Sequence, residues 1–221
     1  MNKMLVLAAG FAVAAAAPAY AAPTLKTTAG SAASFAAPAI PGMQTAVFTF
    51  NNAALPQGFA ATYVKSVVTS GTNLPYSAQP AFSDGSPFLA VLAGGTTTLL
   101  SATKGYSLVS FYLGSIDTFN TVQILNTAGK VIDTYTGSSF VTPANGNQSQ
   151  PATNRRITYK IGAGDQLIGG IRFSSTQNAA EVDNVVFAVP EPSTWAMMLA
   201  GFGLIGLAMR SRQRRTTVVY A

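Results

Sequence analysis

Residues 44–189 consist of short runs rich in valine, isoleucine, phenylalanine, tyrosine and threonine, separated by glycine, proline, asparagine and aspartate. Such runs favour β-strands, and the residues between them favour turns. The runs are residues 45–50, 63–69, 88–92, 97–102, 107–113, 121–126, 130–135, 156–161, 167–174 and 181–189. Because no amphipathic helix of useful length precedes residue 190, the pattern predicts an all-β fold, an antiparallel β-sandwich of the jelly-roll type.

The region before these runs, residues 22–43, is rich in alanine, threonine, serine and proline and has little apolar surface to bury. We therefore predict a flexible leader there, followed by one β-sandwich domain over residues 44–189. Residues 73–87 and 142–154 are polar and contain proline, which is typical of exposed loops. No internal repeat of fixed period is present, so a solenoid or a propeller is not expected.

The first 21 residues have the organisation of a secretory signal peptide. Lys3 provides the positive charge, residues 4–17 form an uninterrupted apolar stretch, and Pro18 ends it. Ala19 and Ala21 satisfy the rule of small residues around a cleavage site, which predicts that signal peptidase cuts after Ala21. The alternative is a retained N-terminal anchor, but the apolar stretch is short for a membrane span of roughly 20 residues.

The end of the chain combines a short polar turn at residues 190–192, an apolar segment at about 194–209 and an arginine-rich end at 210–215. The apolar segment is short, because a bilayer core requires roughly 17–25 helical residues. Long arginine side chains can reach the interface from within the bilayer, which allows a short segment to span. By the positive-inside rule the arginines stay in the cytoplasm. The pattern predicts a single C-terminal transmembrane helix, with the mature domain outside the inner membrane.

This tail resembles the PEP-CTERM sorting signal of Gram-negative bacteria in its PEPxxWA form. The matching positions are Pro190, Glu191, Pro192, Trp195 and Ala196, followed by the basic residues Arg210, Arg212, Arg214 and Arg215. The resemblance implies recognition by an exosortase, a membrane protease-transferase that would cleave near the Pro-Glu-Pro turn. The mature protein would then reach the cell surface or the exopolysaccharide matrix, whereas an uncleaved tail would make it a permanent inner-membrane component. An address of this kind does not define an activity.

The net charge of the predicted mature domain is small. The whole chain has 13 basic and seven acidic residues, but residues 22–190 retain eight basic against six acidic ones, a net charge of +2. The basic cluster belongs to the sorting tail, so its charge is no evidence for a nucleic-acid surface. We expect no nucleic-acid partner.

The chain contains neither histidine nor cysteine. This excludes a Ser-His-Asp triad, a Cys-His pair, a histidine metal site and any disulfide. The sequence therefore predicts a protein that is not an enzyme, although a carboxylate pair or a Ser-Lys arrangement is not excluded by composition. Cofactors are not expected, apart from a structural calcium ion.

Two sites could hold that ion or a sugar. In the first, Asp117 and Asn120 lie in a turn between two predicted strands, where their oxygens could bind calcium or sugar hydroxyls. The alternative is an ordinary turn in which these side chains bond the nearby backbone. In the second, strand alternation places Asp183 on one face with Val185 and Phe187, beside Asn184 on the other. A buried carboxylate needs a partner, and an arginine or lysine, backbone N–H groups or calcium would each serve.

Two functions are consistent with these features. The first is a structural or adhesive protein of the cell surface or exopolysaccharide matrix. The second is a carbohydrate-binding β-sandwich that uses the Asp117/Asn120 turn and the amides of residues 145–150. The second function is weakened because the only tryptophan, Trp195, lies in the sorting tail.

Overall fold

The computed structural model of the protein describes residues 22–71 and 76–213. The predicted signal peptide, with Ala19 and Ala21, lies outside these residues, as do Arg214 and Arg215 at the other end. Our predictions for those positions therefore stay predictions.

The described chain forms ten strands and three helices. The strands are β1 (Thr24–Ala29), β2 (Met43–Phe48), β3 (Phe59–Thr69), β4 (Phe88–Ser101), β5 (Leu108–Gly114), β6 (Asn120–Asn126), β7 (Val131–Thr136), β8 (Arg155–Lys160), β9 (Ile168–Ser175) and β10 (Ala180–Pro190). The helices are α1 (Ala32–Phe35), α2 (Gly137–Phe140) and α3 (Pro192–Gln213). All strand pairs are antiparallel, so the predicted all-β class is confirmed.

The strands belong to one sheet in the order β1-β8-β5-β10-β4-β9-β6-β7, with β2 added to β10 and β3 added to β4. This differs from the two separate sheets of a jelly roll, because β4 runs through both layers. Its first half pairs with β10 at Leu89–Val91, and its second half pairs with β9 from Gly95 to Leu100. The two short strands predicted at 88–92 and 97–102 are thus one long, bent strand.

The bend in β4 lies at Gly94 and Gly95, where the four β4 residues 92–95 lie opposite the single residue Lys65 of β3. Gly94 has a φ of 67° and Lys65 a φ of 45°, which is the left-handed region. A Cβ atom added at Gly95 would come within 2.4 Å of the Lys65 carbonyl oxygen. The extra residues of β4 and its two glycines together let the paired strands β3 and β4 pass from one layer to the other.

The apolar core lies between the two layers. Phe111 of β5 and Phe173 of β9 have ring centroids 5.2 Å apart, and Tyr159 of β8 and Tyr135 of β7 are 6.1 Å apart. These strands are not neighbours in the sheet, so the contacts are made across the space between the layers. The curved sheet therefore packs on itself as a sandwich.

The predicted flexible leader over residues 22–43 is wrong. β1 pairs with β8 along its whole length, from Thr24 opposite Lys160 to Ala29 opposite Arg155. α1 follows behind a capping box at Ser31, and its Phe35 side chain is buried. The segment is ordered because it covers an edge strand and buries an aromatic ring, which its alanine-rich composition did not indicate.

The predicted transmembrane helix at 194–209 is not confirmed. α3 covers this range, but among residues 22–71 and 76–213 no helix is both long and apolar enough to cross a membrane.

The corner of the sheet gives the first prediction. Gly95→Ala should lower the free energy of unfolding by about 1–3 kcal/mol, because the new methyl group meets the backbone carbonyls of Lys65 and Leu92. Gly201→Ala in α3 is the matched control, since open space surrounds that position. Chemical denaturation of both variants tests this. Equal stability of the two variants would contradict the proposed role of the glycine.

Candidate functional site

The sorting residues follow the domain without a linker. β10 ends at Pro190, which is paired with Met43 of β2, and the Glu191 backbone N–H donates to the Gly42 carbonyl at 3.1 Å. Pro192 begins α3 directly afterwards. Two backbone contacts thus hold the Pro-Glu-Pro turn beside Met43, where β2 begins.

The helix that follows is apolar and uncovered. Its large apolar side chains from Met197 to Met209 are between 46 and 73% exposed, and the Arg210 side chain is exposed as well. An apolar surface of this size on a helix is typical of a segment that contacts lipid or a partner.

The predicted Asp117/Asn120 site forms an internally bonded turn. The Asp117 N–H donates to Asn120 Oδ1 at 2.7 Å, and Asn120 N–H donates to the Asp117 carbonyl at 3.1 Å. The amide nitrogen of Asn120 contacts Ser175 Oγ at 3.4 Å, and Asn120 is 1% exposed. Asn120 therefore serves the turn, while the half-buried Asp117 carboxylate lies against the backbone of Gly146.

The amide-rich loop at residues 145–150 is brought to this turn, through a bridge between Asp117 and Asn145. Its side chains bond within the loop. Asn147 Oδ1 accepts from the backbone N–H groups of Ser149 and Gln150, each at 3.0 Å. Asn154 Nδ2 donates to the carbonyls of Asn147 and Gln150, which closes the loop. The Oδ1 atoms of Asn145 and Asn147 and the amide nitrogen of Asn154 thus stabilise the loop conformation.

The second predicted site, Asp183 and Asn184, lies at a β-bulge in β10. The register with β5 shifts between Asp183 and Val186, and Asn184 has a φ of 49°. Val182 and Val185 consequently both face the core, while Asp183 and Asn184 face the opposite side. The predicted placement of Asp183 with Val185 and Phe187 is therefore wrong, because one extra residue inverts the alternation.

A polar row crosses this outer face of the sheet. The pairing registers place Arg156 of β8 beside Tyr112 of β5, and Tyr112 beside Asp183 of β10. The Arg156 guanidinium carbon lies 5.8 Å from the centre of the Tyr112 ring. All three side chains are buried, with Asp183 fully so.

Arg156 holds α1 over this row. Its Nε donates to the Ser34 carbonyl at 2.8 Å, and its Nη2 donates to the carbonyls of Phe35 and Ala36. Its Nη1 donates to the Asn184 carbonyl at 2.8 Å. Burial lowers the Arg156 pKa to about 10, partly offset by the charge of Asp183. The guanidinium thus satisfies the carbonyls at the end of α1 and at the β10 bulge together.

Glu181 belongs to the same face and was not identified as a site residue from the sequence. Its carboxyl group accepts from the Ala78 N–H at 3.3 Å and is hydrogen-bonded to the Ser115 hydroxyl. The signal available was its spacing of two from Asp183, which places both acids on one face of a strand. Ala78 and Ser77, in the loop predicted to be exposed, are buried over it.

Burial determines the protonation of both acids. It raises the pKa of Glu181 to about 8 and that of Asp183 to about 7, against the smaller opposing effects of their hydrogen bonds. One carboxyl oxygen of Asp183, Oδ2, is buried without a hydrogen-bond partner among the described residues. In the same part of the chain, no three acidic side chains come close enough together to hold a metal ion. The calcium hypothesis therefore stays a prediction.

A groove of about 1050 Å³ lies elsewhere, where β2 and β3 diverge. Its floor contains the buried Phe48, its walls carry Val47 and Tyr63, and residues 49–56 form its rim. Every described residue that lines it is uncharged. Sequence reasoning missed this groove because it depends on how β10 and β4 place β2 and β3, which are not paired with each other.

The comparison with known families identifies the tail. Residues 188–215 match the family model of the PEP-CTERM protein-sorting motif. The chain therefore carries the sorting motif that its sequence predicted. No curated protein has a significant match to the chain.

Distant solved structures include family 29 carbohydrate-binding modules. One such module has 12% identity and a TM-score of 0.37, with 66% of this chain and 88% of that chain covered. A variant of the module CBM29-2 in complex with cellulohexaose has 12% identity and a TM-score of 0.39, with 67% and 93% covered. At these values the likeness transfers no ligand to this chain.

The buried acids give a prediction about pH. Because the folded-state pKa values of Glu181 and Asp183 lie above those of free carboxyl groups, their contribution to stability is complete below about pH 4. It is lost as pH rises towards about 8, by about 1.4 kcal/mol per pH unit for each group. Unfolding measured from pH 4 to 9 should show this loss. Glu181→Gln should reduce the slope, whereas an unchanged slope in this variant would contradict the assignment.

The hydrogen bonds from Arg156 to the carbonyls of α1, here called the α1 clamp, give another prediction. Arg156→Lys keeps the positive charge but cannot donate to four carbonyls, and should lower the free energy of unfolding by about 2–3 kcal/mol. Hydrogen exchange of the α1 amides should also accelerate. Arg172→Lys is the control, because Arg172 bonds two side chains, Thr98 and Gln123, and is only half-buried. If Arg172→Lys destabilises the protein as much, the clamp is not specific.

Proposed function

We propose that this protein is exported across the inner membrane, held there by α3, and processed by an exosortase at its Pro-Glu-Pro turn. The mature domain would then occupy the cell surface or the exopolysaccharide matrix. The observation that carries this proposal is the PEP-CTERM motif at residues 188–215. The exposed apolar side chains of α3 and the exposed Arg210 support its association with the membrane.

The position of the turn suits such processing. Glu191 alone separates β10, which ends at Pro190, from α3, which begins at Pro192, and it is half-buried rather than enclosed. Cleavage after this turn would remove α3 and leave the pairing of β10 with β2 intact. The mature domain would therefore keep its core after losing its apolar tail.

We further propose that the mature domain acts without catalysis, in a structural or adhesive role. The absence of histidine and cysteine from the sequence supports this. So does the burial of Glu181 and Asp183, which leaves neither carboxyl group open to solvent. Carbohydrate binding is the second candidate function, and the uncharged groove between β2 and β3 favours it.

The sorting proposal predicts the mass of the mature protein in its native host. Intact-mass measurement should give a chain that starts at Ala22 and ends near residues 190–194. Replacement of Pro190, Glu191 and Pro192 by alanine should leave the tail attached and the protein in the membrane fraction. The double variant Ser193→Ala/Thr194→Ala is the matched control, because these are the variable positions of the PEPxxWA form.

Loss of the exosortase should reproduce the effect of the triple variant. A wild-type protein that retains residues 195–221 in the native host would contradict the processing proposal.

A further inference from the structure

We propose that the groove between β2 and β3 is a binding site for a chain of neutral sugars. The inference rests on the proposed function only because a surface or matrix location would bring the groove into contact with exopolysaccharide. It assigns the ligand to a different place from the Asp117/Asn120 turn, where the Asn120 side chain is buried and bonded to the Asp117 N–H and Ser175.

The uncharged lining of the groove favours an uncharged ligand. Within residues 22–71 and 76–213, none of those that line its volume of about 1050 Å³ carries a charge. A phosphate, a uronic acid or a basic peptide would lose hydration there without an ionic partner. A neutral ligand with many hydroxyl groups would not meet this cost.

The side chains of the groove match the two faces of a sugar. The Tyr63 ring is 43% exposed and provides a flat apolar surface for the C–H face of a pyranose. Asn51 and Asn52, on the rim, provide amide groups for hydroxyls. Among the described residues, neither the Asn51 side chain nor the Tyr63 hydroxyl has a hydrogen-bond partner, while Asn52 uses only its Oδ1, towards the Ala54 N–H.

The size of the groove fits an extended ligand. Its volume of about 1050 Å³ slightly exceeds the roughly 300–1000 Å³ typical of small-molecule sites. The rim residues 51–55 are exposed, so the groove opens to solvent along its side. An oligosaccharide segment can enter such a groove from within a longer polysaccharide.

A peptide strand is the competing occupant, since β2 pairs only with β10 and β3 only with β4 among the described strands. Both edges are poorly suited to it. β2 is six residues long, and β3 is irregular at Lys65, whose φ is 45° and where the pairing with β4 shifts register. Short and irregular edges discourage strand addition.

The test uses the full chain purified in detergent and isothermal titration with three probes. These are an unbranched neutral glucose hexasaccharide, a hexamer of uronic acid, and an extended neutral hexapeptide. The exopolysaccharide of the native host is added in a sedimentation assay. Because the chain is purified, the result does not depend on whether an exosortase processes it in the cell.

We expect the neutral hexasaccharide or the host polysaccharide to bind and the uronic acid hexamer not to bind. Tyr63→Ala should weaken the binding about tenfold or more, and Asn51→Ala should weaken it less. Tyr63→Phe keeps the ring and should retain most of the affinity. Tyr76→Ala is the matched control, because Tyr76 is 44% exposed but lies outside the groove.

Several results would overturn the proposal. They are no binding of either the neutral hexasaccharide or the host polysaccharide, preferential binding of the uronic acid hexamer or of the peptide, or equal effects of Tyr63→Ala and Tyr76→Ala. Melting temperatures of all variants identify any loss that is due to unfolding, and Tyr63→Phe and Asn51→Ala keep the test valid if Tyr63→Ala does not fold. Failure here with a correctly processed mature mass would refute the glycan site and leave the sorting proposal standing.

Discussion

The buried guanidinium of Arg156 is the interaction on which the outer face of the sandwich depends. A buried positive charge must be satisfied by polar groups, and here the backbone supplies them through the carbonyls of residues 34–36 and Asn184. This requirement fixes α1 on the sheet, keeps β1 along β8, and holds the β10 bulge in place. Its charge also opposes in part the rise in the pKa of Asp183 that burial causes.

Arg156 keeps the outer face of the sheet covered, whereas the bend of β4 leaves a surface open. Because β4 leaves β10 at its glycine pair and joins β9, β2 occupies the place that β4 vacates beside β10. β3 follows β4 into the other layer, and the groove opens between β2 and β3. The bend of β4 thus exposes Tyr63 and Asn51 beside the buried Phe48, and the described residues around them are uncharged.

The strand positions could largely be read from composition, because alternating β-branched and aromatic residues are local signals. The errors have physical causes. The leader appeared flexible because its alanine-rich composition does not show that Phe35 is buried or that Arg156 bonds the α1 carbonyls. The faces of β10 were reversed because a bulge at Asn184 depends on its partners in β5. Asp117 and Asn120 were placed correctly in a turn, but only the neighbouring strands determine that Asn120 is enclosed.

The sequence by itself determined the sorting motif of this protein and its fold class. A sorting tail is read by other proteins as a linear pattern of residues 190–215, and strand-forming runs depend on neighbours in the chain. The tertiary structure alone decided where polar groups are buried and where a ligand can enter. Those properties depend on residues distant in sequence, such as Arg156 with Phe35, or Asn51 with Tyr63 across two strands. Packing brings these residues together, and no local sequence pattern indicates which of them will be neighbours.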